Sequence, residues 1–365
     1  MRHVKEEIGS EFWVDDVVYE SNDIYHDFKE NGFGGDNRLV LSGRTAIDYI
    51  CQDIACDRKI ATVYMPAYCC DSMIYPFKNR DINVIFYDIR YEKGNIKCDI
   101  DTTLEIDILY ICNYFGFSTG VDFEVVVNMR RKGVIILYDK THDFFNNGEP
   151  FVLISDYCFC SLRKWMGIPT GAIVSKKNGY FFKSLLKECD FVEDKREGMR
   201  KKYFYIHGNT AIVKEDFLRL FASFNKNLSS DYQDYLIDKT SLQLLNRQDL
   251  EQIKICRQRN AVLLYEELSR LDHISMMFQY GNGCVPLFVP ILVKKEIRNS
   301  LRKYLIDNNV YCPVHWSKSQ LLSNSIQADV FYDSELSLVC DQRYDEGQMK
   351  RVVELIKNYC NRINI

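Results

Sequence analysis

The stretch GVIILYDKTH, residues 133–142, decides the fold. From Val134 to Tyr138 every side chain is apolar or aromatic, and the run stops at Asp139. A segment so short and so uniformly apolar reads as a strand covered on both faces, as in a parallel sheet. DILYICNYF (107–115) is a second run of the same kind, and ATVYM (61–65) and INVIFYDI (82–89) come before it, all rich in Val, Ile, Tyr or Phe. Helical spacing fills the gaps at 42–56, 70–79 and 121–132. In the first of these, Ala46, Ile47, Ile50, Cys51 and Ile54 keep to one face, with Ser42 and Gly43 at its start. Alternating strands and helices predict a doubly wound α/β sheet. Ligands of such sheets bind beyond the carboxyl ends of the strands, where Asp139 stands.

After residue 175 the strand signal fades, and 180–270 read as long, mostly helical segments. A second pattern follows: a strand at 285–293, a helix at 295–308, a strand at 309–316, a strand at 336–340 and a helix at 345–361. This predicts a compact α+β C-terminal domain. A length of 365 residues suits two domains. They are placed at 14–245 and 246–365, with residues 1–13 packing near the smaller one.

Composition narrows the function classes. The chain is 47% hydrophobic and 27% charged, as soluble globular proteins are. Its net charge of −4 comes from scattered charges, which argues against a nucleic-acid partner. No apolar stretch reaches the ~20 residues that span a bilayer, so no membrane partner is expected. The start, MRHVKEEIGSEFW, lacks the apolar centre of a signal peptide, and a cytoplasmic location is expected. The 14 cysteines mostly sit singly inside apolar runs, as small buried hydrophobes do. The close pairs, Cys69-Cys70 and Cys158/Cys160, do not form a CxxC…CxxC pattern, so no metal site is expected.

Four places carry candidate chemistry. Ser42-Gly43-Arg44-Thr45 opens a helix, and such a terminus is either an anion site or simply a cap. Asp139, followed by His142, either faces a cationic ligand atom or caps the next segment. In SLRKWMGIPTGAIV (161–174), Lys164 follows Arg163 and precedes a Pro-Thr-Gly turn. The adjacent like charge lowers the lysine pKa and favours carbonyl chemistry, unless the two cations form a solvated pair. In YCPVHW (311–316), His315 either lines a cleft or packs. The order of the first three is suggestive. A phosphate cup, a strand-end acid and a lysine on the turn before a strand are what pyridoxal phosphate requires of a protein.

With these motifs in place, the chain resembles the DegT/StrS-type sugar aminotransferase family over nearly its whole length. SGRTAIDYI is similar to that family's phosphate-cup helix, VYMPAYCCDSMIYPF to its V-x-x-P-x-aromatic segment, and YDKTHDFF to its D-x-x-(H/Q) pair. FCSLRKWMGIPTGAIV resembles the segment of the cofactor lysine, and VYCPVHW and LSLVCDQRY resemble small-domain motifs. There are departures. Phe159 stands where the family has a serine, with Ser161 as its replacement. Asn113, in NYFG, stands where a histidine is usual. Cys70 stands where an aromatic covers the cofactor ring, with Tyr68 two residues earlier.

The resemblance implies PLP-dependent transferase fold type I: a large, mixed but mainly parallel sheet flanked by helices, plus a small α+β domain. It implies an aminotransferase that moves an amino group from an amino acid, glutamate by family habit, to a keto sugar. The sugar would be nucleotide-linked, and the setting polysaccharide or secondary-metabolite synthesis. Lys164 would capture the aldehyde of pyridoxal 5'-phosphate and later move the proton. Asp139 would keep the ring nitrogen protonated, and His142 would orient the ring. Ser42, Gly43, Arg44, Thr45 and Ser161 would hold the phosphate, and Tyr68, Cys70 and Asn113 would surround the ring. His315, Trp316 and Tyr311 would meet the substrate. A homodimer with the active site at its interface is implied as well. Sugar dehydratase relatives carry histidine in place of the lysine, and Lys164 speaks against that reading. A transaminase of a non-sugar ketone and a non-catalytic regulatory protein on the same fold remain alternatives.

Overall fold

A computed structural model describes residues 6–14, 26–146, 150–184, 187–281, 283–322 and 326–362. The expected placement of 1–13 near the small domain therefore lies outside the described residues for 1–5, as does the expected start of the large domain for 15–25.

The large sheet has eight strands in the order Asp36–Val40, Ala172–Lys176, Tyr157–Cys160, Ile135–Asp139, Ile108–Cys112, Thr62–Pro66, Asn83–Glu92, Asn95–Asp99. The strands from Tyr157–Cys160 to Asn83–Glu92 run parallel, and antiparallel partners close both sides. Ile108–Cys112 is buried at every position, as expected of a strand covered on both faces. The helices Gly43–Ala55, Asp71–Lys78 and Phe123–Arg131 lie where spacing predicts them, within one or two residues.

The strands Asp36–Val40, Asn95–Asp99 and Tyr157–Cys160 were not among the expected ones. The first follows a glycine loop and begins with three polar residues, and the second is a polar edge strand. The third holds only four residues. Two expected strands are shorter than their apolar runs. At 309–316 only Val310–Tyr311 pairs, with Ile8–Gly9. Pro313 has no N–H to offer a ladder, although its carbonyl accepts from Ser337 N at 3.0 Å. At 285–293 only Val289–Val293 is strand, and Leu287 N instead donates to Phe115 O at 2.9 Å.

The smaller sheet is antiparallel, in the order Ile274–Met276, Val289–Val293, Glu335–Leu338. The helices Leu250–Leu268, Lys295–Asp307 and Glu346–Arg362 pack with it around a separate core that also takes in Ile8. The larger core reaches past 246 to Met277, Phe278, Leu287, Phe331 and Tyr332. Among the described residues no helix is long and apolar enough to cross a membrane.

Candidate active site

Three parallel strands end side by side, with Cys112 opposite Asp139 and Asp139 opposite Phe159. The next residues along the chain, Asn113, Thr141 and Ser161, therefore emerge at one edge of the sheet. Opposite them stands the amino end of Gly43–Ala55, with Ser42 as its N-cap. Between them lies a cleft of about 630 Å³ with open solvent included, lined by Ser42, Gly43, Arg44, Cys70, Asn113, Asp139, His142, Ser161, Arg163, Lys164 and Trp316, among others.

Asp139 is held from both sides. Its Oδ2 accepts from the Tyr110 hydroxyl at 2.6 Å, and its Oδ1 accepts from Thr141 N at 2.7 Å. Burial raises its pKa above the ordinary carboxylate value, against these hydrogen bonds and the attraction of Lys164. Thr141 ties the site together. Its Oγ1 accepts from Ser161 N at 3.2 Å, and its carbonyl accepts from Trp165 Nε1 at 2.8 Å.

The Pro-Thr-Gly turn now has a physical reason. Leu162–Lys164 is a single 3-10 turn whose Leu162 N donates to Gly171 O at 3.0 Å. Gly171 has φ 131, and an added Cβ would stand 3.0 Å from both Ile168 and Ile237. Trp165, fully buried, sits under the guanidinium of Arg257 at 4.7 Å, and its carbonyl accepts from Arg257 at 3.3 Å and Gln342 at 2.8 Å. Lys164 is thus fixed between two anchored neighbours.

Lys164 Nζ lies 3.4 Å from His142 Nε2. Burial is the main cause that lowers the lysine pKa. The adjacent Arg163, which sequence reasoning put first, adds a smaller push, and Cys70 and Asp139 pull the other way. The His142 pKa is lowered well below its ordinary value, by burial and then by Lys164 and His315. Its Nδ1 accepts from Phe115 N at 3.3 Å, so the neutral ring carries its proton on Nε2, facing the lysine amine. The ring stacks on Trp316, with centroids 5.5 Å apart.

The residues suit a pyridoxal phosphate. The buried Nδ2 of Asn113, a residue that lines the cleft, has no hydrogen-bond partner among the described residues, and a buried donor left unpaired costs free energy unless a ligand meets it. At the other end an added Cβ on Gly43 would stand 3.5 Å from the Ser161 side chain, so glycine keeps that end wide. A helix N-terminus there favours an anion.

Not every expected residue reaches the cleft. The backbone N of Thr45 is taken by Ser42 Oγ at 3.3 Å, so Thr45 belongs to the cap. Tyr68 is fully buried among Tyr114, Trp316, Phe331 and Tyr332, with its hydroxyl on the carbonyl of His315. His315 and Tyr311 line a second cavity, which adjoins the first at Arg163 and Lys164. His315 N donates to Glu335 Oε2 at 2.6 Å, its Nδ1 lies 2.8 Å from Ser337 Oγ, and Ser337 Oγ donates to Glu335 Oε1. Tyr110, Thr141, Ser72 and Met73 were not picked out from the sequence. Tyr110, a lone hydroxyl in an apolar strand, was the one readable signal among them.

No protein-family model matches the chain, and no curated protein does. Solved structures do. The aminotransferase TlmJ of Streptoalloteichus hindustanus is 14% identical, with a TM-score of 0.63 over 92% of this chain and 89% of its own. The sugar aminotransferase CalS13 of Micromonospora echinospora is 12% identical, with a TM-score of 0.61 over 98% of this chain and 100% of its own. NtdA of Bacillus subtilis, solved with bound cofactor PMP, is 13% identical, with a TM-score of 0.58 over 88% of this chain and 72% of its own. The chain has fold type I of the PLP-dependent transferases. Within that fold its structural neighbours include sugar aminotransferases.

Proposed function

We propose that the protein is a pyridoxal-phosphate-dependent aminotransferase that moves an amino group from an amino acid, glutamate first among the candidates, to a keto sugar. One observation carries this reading. A half-buried lysine whose amine has a lowered pKa lies 3.4 Å from a neutral histidine, in the same cleft as a strand-end aspartate. When bound, the cofactor supplies an aldehyde and an electron-withdrawing ring. Lys164 Nζ would be the nucleophile for that aldehyde, because burial lowers its pKa and so favours the free amine. Asp139 would hold negative charge for the ring nitrogen, and Tyr110 and Thr141 keep the carboxylate from turning away. Ser42, Gly43, Arg44 and Ser161 would hold the phosphate, and Asn113 Nδ2 would be a hydrogen-bond donor to the bound group. The amine of Lys164 would take and return the substrate proton as general base and acid, with His142 Nε2–H orienting it. Trp316 covers one side of the cleft, where a substrate would enter.

The acceptor is read as nucleotide-linked, within polysaccharide or secondary-metabolite synthesis, and the active unit as a cytoplasmic homodimer. The sequence motifs that resemble the DegT/StrS-type family support these assignments. The decisive experiment incubates the purified protein with pyridoxal phosphate, reduces it with borohydride and maps the peptides. One cofactor mass on the peptide that contains Lys164, and 2-oxoglutarate released from glutamate by the unreduced protein, are expected. Lys164→Ala should lose both, and an adduct on another lysine would overturn the assignment. Sedimentation velocity tests the dimer.

A further inference from the structure

Glu335 and Ser337 stand two residues apart on the strand Glu335–Leu338, so their side chains leave the same face of the small sheet. Both are fully buried, and His315 is buried against them. Three contacts close a ring. His315 N donates to Glu335 Oε2 at 2.6 Å, Ser337 Oγ meets Glu335 Oε1, and His315 Nδ1 lies 2.8 Å from Ser337 Oγ. The other ring nitrogen, Nε2, makes no hydrogen bond among the described residues, and His315 lines the second cavity together with Lys164. The imidazole is otherwise packed among rings, those of Phe115, His142, Phe288 and Trp316, with centroids 5.0 to 5.5 Å away. The chemistry assigned to Lys164, Asp139 and His142 uses none of these three groups.

The ring of contacts allows two arrangements of hydrogens. The backbone N–H of His315 claims Oε2 as its acceptor in both, so a proton on Glu335 sits on Oε1. With Glu335 ionised, the Ser337 hydroxyl donates to Oε1 and accepts from His315 Nδ1–H, and Nε2 presents a lone pair. With Glu335 neutral, Oε1–H donates to Ser337, Ser337 donates to Nδ1, and Nε2 carries the hydrogen. One proton on Glu335 therefore decides whether His315 is a donor or an acceptor towards the cavity. Burial pushes the Glu335 carboxyl up to about 8, against Ser337, the His315 N–H and Arg298, and Tyr68 and Cys312 also face it. The imidazole stays neutral, because burial and then Lys164 push it down to about 3, and His142 beside it is neutral as well. What changes near pH 8 is thus the tautomer of His315 and not its charge.

We propose that Glu335, Ser337 and His315 form a proton relay, in which His315 Nε2 is the acid–base group for the substrate oxygen at the carbon that Lys164 works on, and Glu335 and Ser337 position its proton. This rests on the aminotransferase reading, which supplies an oxygen that must leave, since exchanging a keto oxygen for an amino group releases it as water. As that oxygen departs, the Nε2–H bond breaks and an O–H bond forms. Nδ1 takes the hydrogen of Ser337, Ser337 takes that of Glu335 Oε1, and the negative charge comes to rest on Glu335. Water in the cavity returns a proton to Nε2, and the same shifts run backwards. No imidazolium forms, which burial and the neighbouring Lys164 would resist.

The relay is tested first without turnover. The six histidines of the chain are labelled with nitrogen-15, and the tautomer of His315 is read by NMR from pH 6 to pH 9.5, its signal assigned by its absence from His315→Gln. Nε2 should carry the hydrogen at pH 6 and lose it to Nδ1 with a midpoint of about 8. In Glu335→Gln the side-chain amide takes the place of the neutral acid, so Nε2 should keep its hydrogen throughout. In Ser337→Ala the tautomer should no longer follow Glu335. A constant wild-type tautomer, or a switch that survives in Glu335→Gln, overturns the relay. The wild-type titration needs no variant, so it decides even if a variant fails to fold. The second measurement is a single turnover of the protein loaded with pyridoxamine phosphate, with 2-oxoglutarate as the probe. The wild-type rate should fall above about pH 8. In Glu335→Gln it should be about 10²-fold lower at pH 7 and show no such fall. A variant slowed equally at every pH, with the wild-type fall kept, would make Glu335 a support of the fold and overturn the relay. A tautomer switch in a protein that takes up no pyridoxal phosphate would sink the aminotransferase reading and leave the coupling of Glu335 to His315 standing.

Discussion

Asp139 shows how far one carboxylate's surroundings specify its work. Two donors fix its oxygens, and burial favours the neutral acid, while the hydrogen bonds of Thr141 and Tyr110 and the charge of Lys164 favour the carboxylate. Asp139→Asn preserves the shape and removes the charge. It should weaken pyridoxal phosphate binding and slow the half-reaction with glutamate by ~10²–10³-fold, measured by titration and by stopped-flow absorbance. Wild-type rates in the variant would make Asp139 a cap alone. Glu335 is the opposite case, a carboxyl with no cation in hydrogen-bond contact. It is fully buried, faces His315 and Ser337, and has Arg298 and Tyr68 as its other titratable neighbours. Burial pushes its pKa up to about 8. The folded state then holds a proton that the unfolded chain gives up near the usual carboxylate value. Stability from this group is present at acid pH and is lost as pH rises towards 8, with a slope of at most ~1.4 kcal/mol per pH unit. Glu335→Gln removes that titration. The stability lead of the wild type over the variant should shrink between pH 5 and pH 8 in denaturant midpoints. A constant difference would mean that Glu335 is ionised throughout.

At the scale of elements, the turn from Ser161 to Gly171 is what converts a lysine into a site. Trp165 pins it by one hydrogen bond to Thr141 and by its buried ring. Trp165→Phe leaves the Thr141 carbonyl without that donor and removes buried surface. A loss of about 1–3 kcal/mol is expected in urea unfolding, together with weaker cofactor binding, because Thr141 also donates to Asp139. Unchanged cofactor affinity would uncouple the turn from the aspartate. This turn also marks how far the sequence could be read. Asp139, Lys164 and Ser42 stood out because each sits where a periodic apolar run begins or ends, and such boundaries leave a local trace. The clamp on Trp165 left none, since Arg257 and Gln342 come from 92 and 177 residues away. Tyr68 misled for the same reason. An aromatic two residues after a strand-end proline has no local mark that says whether it faces a ligand or, as here, Phe331 and Tyr332. The polar strand Asp36–Val40 is held by its partner Ala172–Lys176, and its own pattern does not announce it.

Over the whole molecule, the N-terminal segment joins what the two cores leave apart. Ile8–Gly9 pairs with Val310–Tyr311 of the small domain. Glu7 reaches Lys202 at 3.2 Å and Lys214 at 2.9 Å, from the helices Val192–Ile206 and Lys214–Ser230. Lys202 is fully buried, and burial and then Arg343 depress its pKa to about 8, with Glu7 opposing them. Its folded pKa lies below the unfolded one, so its contribution to stability rises with pH from about 8 to 10.5. Below that window the charged amine depends on Glu7. Glu7→Gln removes the compensating charge, and breaking a buried pair from one side costs about 3–5 kcal/mol. The loss should be largest near pH 6 and should shrink above pH 8, where the wild-type amine has also released its proton and only the contact with Lys214 is missing. Chemical denaturation of both proteins at pH 6 and pH 9 measures this. Equal losses at the two pH values would assign the effect to Lys214 and would leave Lys202 held by the carbonyl of Glu11, at 2.6 Å, without need of Glu7.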